Sequence, residues 1–217
     1  MSTIQIKDYT KKLKGVTVLE NINLLFESGK IYGIQGHNGC GKTMLLRAIS
    51  GLIHATSGCV IINEKELHKE IDFPQSIGVL IEHPEFWKSY TGFEVLELLA
   101  GIKNKIGKSE IEEVLKRVGL SEKKDIAVAK YSLGMRQRLG IAQAIMEKPD
   151  IILLDEPSNA LDKEGTQLFY NILKEEKSRG AVIILVSHSL SDLQTVCDKI
   201  ITMEHGKIID EEVVKFE

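Results

Sequence analysis

Hydrophobic positions along the chain change period several times, and each change marks an element. Over the first 35 residues they alternate: Ile4 and Ile6, Val16 and Val18, then Ile22, Leu24 and Phe26. A period of two sends successive side chains to opposite faces of a strand, so a half-buried antiparallel pair is expected here. "KIYGIQ" at 30–35 is a shorter apolar strand that runs straight into "GHNGCGKT". The following "MLLRAISGL" has helical spacing and is expected to end near Gly51.

"IILLDE" (151–156) and "VIILVSH" (182–188) do not alternate; they are apolar throughout and turn polar only at their ends. Strands buried on both faces of a parallel sheet read this way. "KEGTQLFYNILKEEK" between them places Leu168, Phe169, Ile172 and Leu173 on one helical face, as a crossover helix requires. The pattern predicts a doubly wound α/β fold, with polar side chains gathered at the carboxyl ends of its strands. From about 84 to 148 the chain differs. "GFEVLELLAGI", "SEIEEVLKRVGL" and "GMRQRLGIAQAIMEK" are helical by period, no convincing strand separates them, and Pro84 and Pro149 bound the segment. A helical insertion between core strands is expected. The tail "CDKIITMEHGKIID" (197–210) reads as strand, turn near Gly206, strand.

Composition narrows the function classes. At 217 residues, 43% hydrophobic and 27% charged, the chain has ample material for a buried core. A net charge of −3 gives no global pull toward nucleic acid or anionic lipid, so no nucleic-acid partner is expected. Cys40, Cys59 and Cys197 are an odd number without CxxC spacing, which argues against a disulfide framework or zinc site and for a reducing compartment. No apolar run approaches the roughly 20 residues of a membrane span, and the N-terminus reads as a strand rather than a signal peptide. Any membrane role is therefore expected to come through a partner.

"GHNGCGKT" at 36–43 fits G-x-x-x-x-G-K-[ST] in full, with a strand before and a helix after. Gly36, Gly39 and Gly41 let the backbone curl, so that loop amides, those of His37, Asn38 and Cys40 included, face phosphate oxygens at the positive end of the next helix. Lys42 is placed to reach the β- and γ-phosphates and the Thr43 hydroxyl to ligate Mg²⁺. The helix N-terminus should acidify the Cys40 thiol, so Cys40 is expected to be alkylated faster than Cys59 and Cys197, with nucleotide protecting it. At the end of "IILLDE", Asp155 can hold Mg²⁺ opposite Thr43, and Glu156 can polarise an attacking water as general base. His188 could cap the following helix. Because the same sheet edge carries the phosphate loop and two carboxylates, a γ-phosphate contact is favoured. "YSLGMRQRLGIAQA" (131–144) is a helix start led by a serine and aimed at an anion, with neither a nucleophile–base pair nor metal-ligand spacing.

In this order the motifs resemble the ATP-binding subunit of an ABC transporter over nearly the whole chain. "GHNGCGKT" is similar to the family's Walker A loop, "IILLDE" to Walker B, "SNALD" (158–162) to the D-loop, "VSHSL" to the switch-histidine loop, and "YSLGMRQRL" to the LSGGQ signature. The resemblance implies a P-loop NTPase fold with a RecA-like parallel core and an antiparallel N-terminal portion. It implies one ABC ATPase domain over 1–217, with a nucleotide-binding core at 1–83 and 149–217 and a helical subdomain at 84–148. It implies ATP hydrolysis with Mg²⁺ and a head-to-tail dimer, in which Ser132 and the Gly134 amide meet the γ-phosphate of ATP held by a second cassette, a copy or a paralogue. Integral membrane permease subunits would be separate chains, placing this one peripherally on the cytoplasmic face of the plasma membrane.

Three departures from the family pattern are informative. Leu133 and Met135 replace a glycine and a glutamine of the signature. Leu13 stands where the family has its adenine-stacking aromatic, with Tyr9 four positions earlier. Glu82 replaces the glutamine that joins core to insertion; a carboxylate can still ligate Mg²⁺ but cannot donate a hydrogen bond. Glu82, its flanking "IGVLIEHP" and the altered signature resemble the ATPases of bacterial exporters for bacitracin-type and lantibiotic peptide antibiotics. The Glu82 loop and the helices near it are the expected surface for a permease's coupling element. Phe86, Trp87 and Tyr90 in "HPEFWKSY" suit either a core or a partner-binding patch. The alternative function is a soluble ABC-type ATPase, for example in iron–sulfur assembly, with no transport role.

Overall fold

The alternating N-terminal positions form two long strands, β1 (Thr3–Leu13) and β2 (Val16–Glu27), paired antiparallel with Ile4 opposite Phe26 and Ile6 opposite Leu24. The computed structural model describes residues 2–82 and 84–214. Ile22, Leu24 and Phe26 are buried as the alternation predicts, whereas Val16 faces out and Leu19 takes the inward place. The cause is a bulge. Between the pairs Tyr9–Ile22 and Lys11–Leu19 two steps on β1 oppose three on β2, with Asp8 (φ 47) and Asn21 (φ 51) left-handed. One extra residue exchanges the two faces of everything beyond it. On its other side β1 pairs with β4 (Ser57–Ile62), which carries the two-residue β5 (Lys65–Glu66), for a sheet order β2-β1-β4-β5.

The second sheet has six strands: β3 (Lys30–Gln35), β6 (Ile77–Leu80), β7 (Ile151–Asp155), β8 (Val182–Val186), β9 (Lys199–Glu204) and β10 (Lys207–Val213). Their order is β10-β9-β3-β8-β7-β6, parallel except for the β9–β10 hairpin. Every residue of β7 and β8 is buried. Ile152, Leu154, Ile183 and Leu185 enter a core shared with the helices, while Ile151, Leu153, Val182, Ile184 and Val186 enter one shared with the first sheet. That is why these segments show no alternation. Helix α1 (Lys42–Ile49) follows β3 and lies in the inter-sheet core through Leu45, Leu46 and Ile49. Asp155, two residues beyond Leu153, shares its parity and so emerges on the α1 side.

Helices α2 (Gly92–Lys103), α3 (Lys108–Arg117) and α4 (Leu133–Ile145) lie between β6 and β7, with 3-10 turns at 121–123 and 128–130 and no strand among the described residues there. The later helices are α5 (Lys163–Ser178) and α6 (Leu190–Val196). On α5, Phe169, Ile172 and Leu173 are buried and Leu168 is half-buried. No helix among the described residues is long and apolar enough to cross a membrane.

Helix α4 makes a close backbone approach to the sheet at a glycine. A Cβ on Gly78 of β6 would stand 1.7 Å from the Ala144 carbonyl oxygen, a backbone atom with no freedom to rotate away. Gly78→Ala is therefore expected to lower unfolding stability by about 3 kcal/mol, read as the midpoint of denaturant unfolding. A change of only a few tenths would show that α4 slides on the sheet, contrary to this packing.

Candidate active site

The loop between β3 and α1 ends on Gly41, which takes the helix N-cap position at φ 109 and offers no side-chain acceptor. The amides of the first turn of α1 are thus left without a cap, at the positive end of a helix, which is the physical basis of an anion site. Two glycines are sterically required. A Cβ on Gly36 (φ 150) would meet the Met203 carbonyl oxygen at 2.3 Å, and one on Gly41 would meet that of Val18 at 2.8 Å. Lys42 is buried, and its ammonium donates to the carbonyls of Gly36 (2.7 Å) and His37 (3.2 Å), a cation already held against the loop.

One residue further, the Thr43 hydroxyl donates to Asp155 Oδ2 at 2.6 Å. Burial pushes the Asp155 carboxyl above its ordinary pKa, against the opposing pull of the Thr43 hydrogen bond and the Lys42 charge. A carboxyl whose pKa rises on folding costs stability as pH climbs above its unfolded pKa, and the penalty is complete once pH has passed the folded pKa. Asp155→Asn is accordingly expected to stabilise the nucleotide-free protein by ~0.5–2 kcal/mol at neutral pH, while removing a hard oxygen donor from the site. Thermal unfolding without nucleotide tests this, and a destabilised variant would refute it.

Glu156 leaves β7 in a left-handed conformation (φ 50), a strained choice for a non-glycine residue and one that clusters at functional sites. Its amide donates to the Val186 carbonyl at 3.0 Å, fixing it to β8. Its Oε1 lies 2.9 Å from His188 Nε2, an ion pair when the imidazole is protonated. Neither carboxylate oxygen receives a well-aligned hydrogen bond, although the ring and backbone amide of His188 both stand near. Burial raises the Glu156 pKa, and the His188 ring and amide partly offset it. A carboxylate short of donors and partly desolvated is a stronger base than an exposed one. Ser189, not His188, caps α6, with its hydroxyl accepting from the Asp192 amide at 3.3 Å. His188 is thereby left to the cleft.

These groups line one cleft of about 460 Å³, which takes in Asn38, Gly39, Gly41, Lys42 and Thr43 on one side and Asp155, Glu156 and His188 on the other. Glu82 lines it too, from the loop after β6 at φ 63, with its carboxylate paired to Arg47 of α1. Thr43 and Asp155 present hard oxygen donors side by side, a donor set that fits Mg²⁺. Gly36, His37 and Cys40 belong to the loop but do not line the cleft. The Cys40 thiol is 1% exposed, so the expectation that it alkylates fastest is overturned: the loop turns the side chain inward, toward the space a Cβ on Gly36 would take. Cys197 is buried as well, its thiol pKa raised by that burial, and Cys59 is the most open of the three.

Leu13, Ser132 and Gly134 stand outside the cleft. Leu13 is exposed at the β1–β2 turn, whereas Tyr9 is 2% exposed and its hydroxyl donates to the Ile53 carbonyl at 3.3 Å, so Tyr9 is closed to any base. Val18 lines the cleft in its place. Ser132 is the N-cap of α4, accepting from the Met135 amide at 3.1 Å, and it is the exposed Leu133 that faces the cleft. A Cβ on Gly134 would come within 2.8 Å of the Ala160 carbonyl oxygen, so this turn packs on the "SNALD" loop. Two connecting residues escaped the sequence reading. Gln137, buried on α4, donates to the Glu156 carbonyl at 3.5 Å, and Arg138 donates to Asp162 at 2.8 Å. Their signal in the sequence was faint: they are two of several polar residues on a helix that also carries Arg136 and Gln143.

A family model described as ABC transporter matches residues 19–159. The uncharacterized ABC transporter ATP-binding protein YybJ of Bacillus subtilis (strain 168) is 48% identical over 211 residues, covering 97% of each chain. The bacitracin transport ATP-binding protein BcrA of Enterococcus faecalis is 38% identical, over 96% of this chain and 68% of its own. The dimeric structure of a post-hydrolysis state of the ATP-binding cassette MJ0796, bound to ADP and Pi, superposes with a TM-score of 0.88 at 25% identity, over 99% of this chain and 100% of that one.

Proposed function

The chain belongs to the ABC transporter family of ATP-binding cassettes, and from that premise we propose that it powers a bacterial exporter of peptide antibiotics or similar drug-like cargo through separate permease subunits. The family hydrolyses ATP to drive transport, and its cassettes function as dimers. The observation that carries the catalytic reading is the convergence of Lys42, Thr43, Asp155, Glu156 and His188 on one cleft.

The loop amides and the uncapped start of α1 bind the phosphates, and Lys42 exchanges its two loop carbonyls for β- and γ-phosphate oxygens. Thr43 and Asp155 would hold Mg²⁺, which would supply neutralisation of phosphate charge when bound. Glu156 takes a proton from the water that attacks the γ-phosphorus; the bond to the β–γ bridging oxygen breaks, and ADP leaves. His188, within 2.9 Å of Glu156, meets the γ-phosphate from the same side. Leu13 is the exposed side chain at the sequence position of the family's adenine-stacking aromatic, while Val18 lines the cleft. Ser132 and Gly134 serve the nucleotide of a second cassette, which accords with their position outside this chain's own cleft.

Residues 84–148 act as the helical subdomain and the rest as the nucleotide-binding core. A groove of about 500 Å³ between residues 84–88 and α4 suits a permease element. Phe86 packs against the core at its edge while Trp87 and Tyr90 stay exposed beside it. The export reading is supported by the likeness to BcrA and by Glu82. As an exposed ion pair with Arg47, Glu82 contributes little to stability, so a phenotype on changing it reports function. In the assembled transporter Glu82→Ala is expected to reduce transport-coupled hydrolysis by about tenfold or more, with Glu82→Gln milder. Full coupled activity in the alanine variant would remove any role for Glu82.

A further inference from the structure

Outside the nucleotide cleft, three side chains with metal-ligand chemistry meet beside the phosphate loop: His37 from the loop, and Glu204 and His205 from the turn between β9 and β10. One ligand atom from each lies within 4.8 Å of the others, and all three residues are exposed. The two imidazole rings stand 5.2 Å apart between centroids, and His205 Nε2 is 3.8 Å from Glu204 Oε1. Among the described residues no lysine or arginine neutralises Glu204, and Lys207, close by in sequence, pairs instead with Glu20.

The backbone beneath them is pinned. Gly206 donates its amide to the Cys40 carbonyl at 2.9 Å, and its own carbonyl accepts from the Glu20 amide at 2.8 Å, so turn and loop are held in one register. Bringing the three groups to bonding distance requires side-chain rotation, not movement of the chain. His37 Nδ1 lies 3.0 Å from the Asn38 carbonyl, which can only accept; that contact keeps the proton on Nδ1 and leaves the Nε2 lone pair for a metal.

We propose that His37, Glu204 and His205 form a site for Zn²⁺ or a similar borderline divalent transition metal, separate from the oxygen donors of Thr43 and Asp155. Two imidazoles and one carboxylate supply three ligands and leave the fourth tetrahedral position to water. Mg²⁺, which takes oxygen ligands, does not compete for it. An occupied site would tie the phosphate loop, whose His37 carbonyl holds the Lys42 ammonium, to the β9–β10 turn.

The test is calorimetric titration of Zn²⁺ into the intact chain without nucleotide or Mg²⁺, in a Cys59→Ser background that removes the most open thiol. One equivalent is expected to bind, and to raise the thermal midpoint by mass action. His205→Asn, chosen because asparagine tolerates the left-handed φ of 47 at this position, and Glu204→Gln are each expected to weaken binding ~10-fold or more and to lose the thermal shift. Binding of Mg-ATP to His205→Asn should be unchanged. Zinc affinity and thermal shift in both variants equal to those of the parent, or no zinc binding by the parent, would overturn the proposal. If His205→Asn fails to fold, Glu204→Gln decides by itself.

Discussion

Glu156→Gln is expected to cut ATP hydrolysis by roughly 10²–10⁴-fold while leaving ATP binding intact. The amide has the shape of the carboxylate, so the buried pocket keeps its volume and the Glu156 amide keeps its bond to Val186. Only the capacity to accept a proton is lost. The wild-type carboxylate is suited to that task because burial raises its pKa and no well-aligned donor satisfies it. Its loss should appear in kcat, since the proposed phosphate contacts come from the loop, α1 and Lys42 rather than from Glu156. Single-turnover hydrolysis of γ-labelled ATP alongside equilibrium nucleotide binding separates the two effects. Equal hydrolysis by wild type and variant would sink the assignment of Glu156 as base.

Ser132→Arg should bring hydrolysis down to background with ATP binding to the isolated chain preserved. Ser132 caps α4 and stands outside this chain's own cleft, so a long cation there leaves the Lys42 and Thr43 contacts untouched. In the head-to-tail pair proposed above the same position would face the other chain's phosphates, where an arginine would obstruct the close approach that a serine permits. Losing the cap costs about 1 kcal/mol, too little to unfold a domain of this size, and Ser132→Ala controls for that cost. Hydrolysis measured against protein concentration is the readout. Wild-type rates in Ser132→Arg would mean that α4 does not meet a second nucleotide.

Much of the site was legible in the sequence because its chemistry is local. The loop 36–43 needs glycines at fixed intervals, a lysine and a hydroxyl, and a strand-to-helix turn; all are encoded within eight consecutive residues. Burial on both faces left its mark on β7 and β8 as unbroken apolar runs, and polar residues at their ends marked the sheet edge. Strand β6, four residues with a glycine, and β4, opening on Ser-Gly-Cys, were too short and too weakly patterned to read.

What the sequence by itself determined was most of the elements, the order of those elements and the residues able to handle a phosphate. Periodicity and residue type within a short window carry that information. Tertiary structure alone decided which way each side chain is used. It turned the Cys40 thiol inward, buried Tyr9 away from any base, let a bulge on β2 exchange Val16 for Leu19, and set Glu82 against Arg47. It also brought His37 to Glu204 and His205 across more than 160 residues of chain. These outcomes depend on register, left-handed backbone angles and the packing of distant segments, and no local window of sequence contains them.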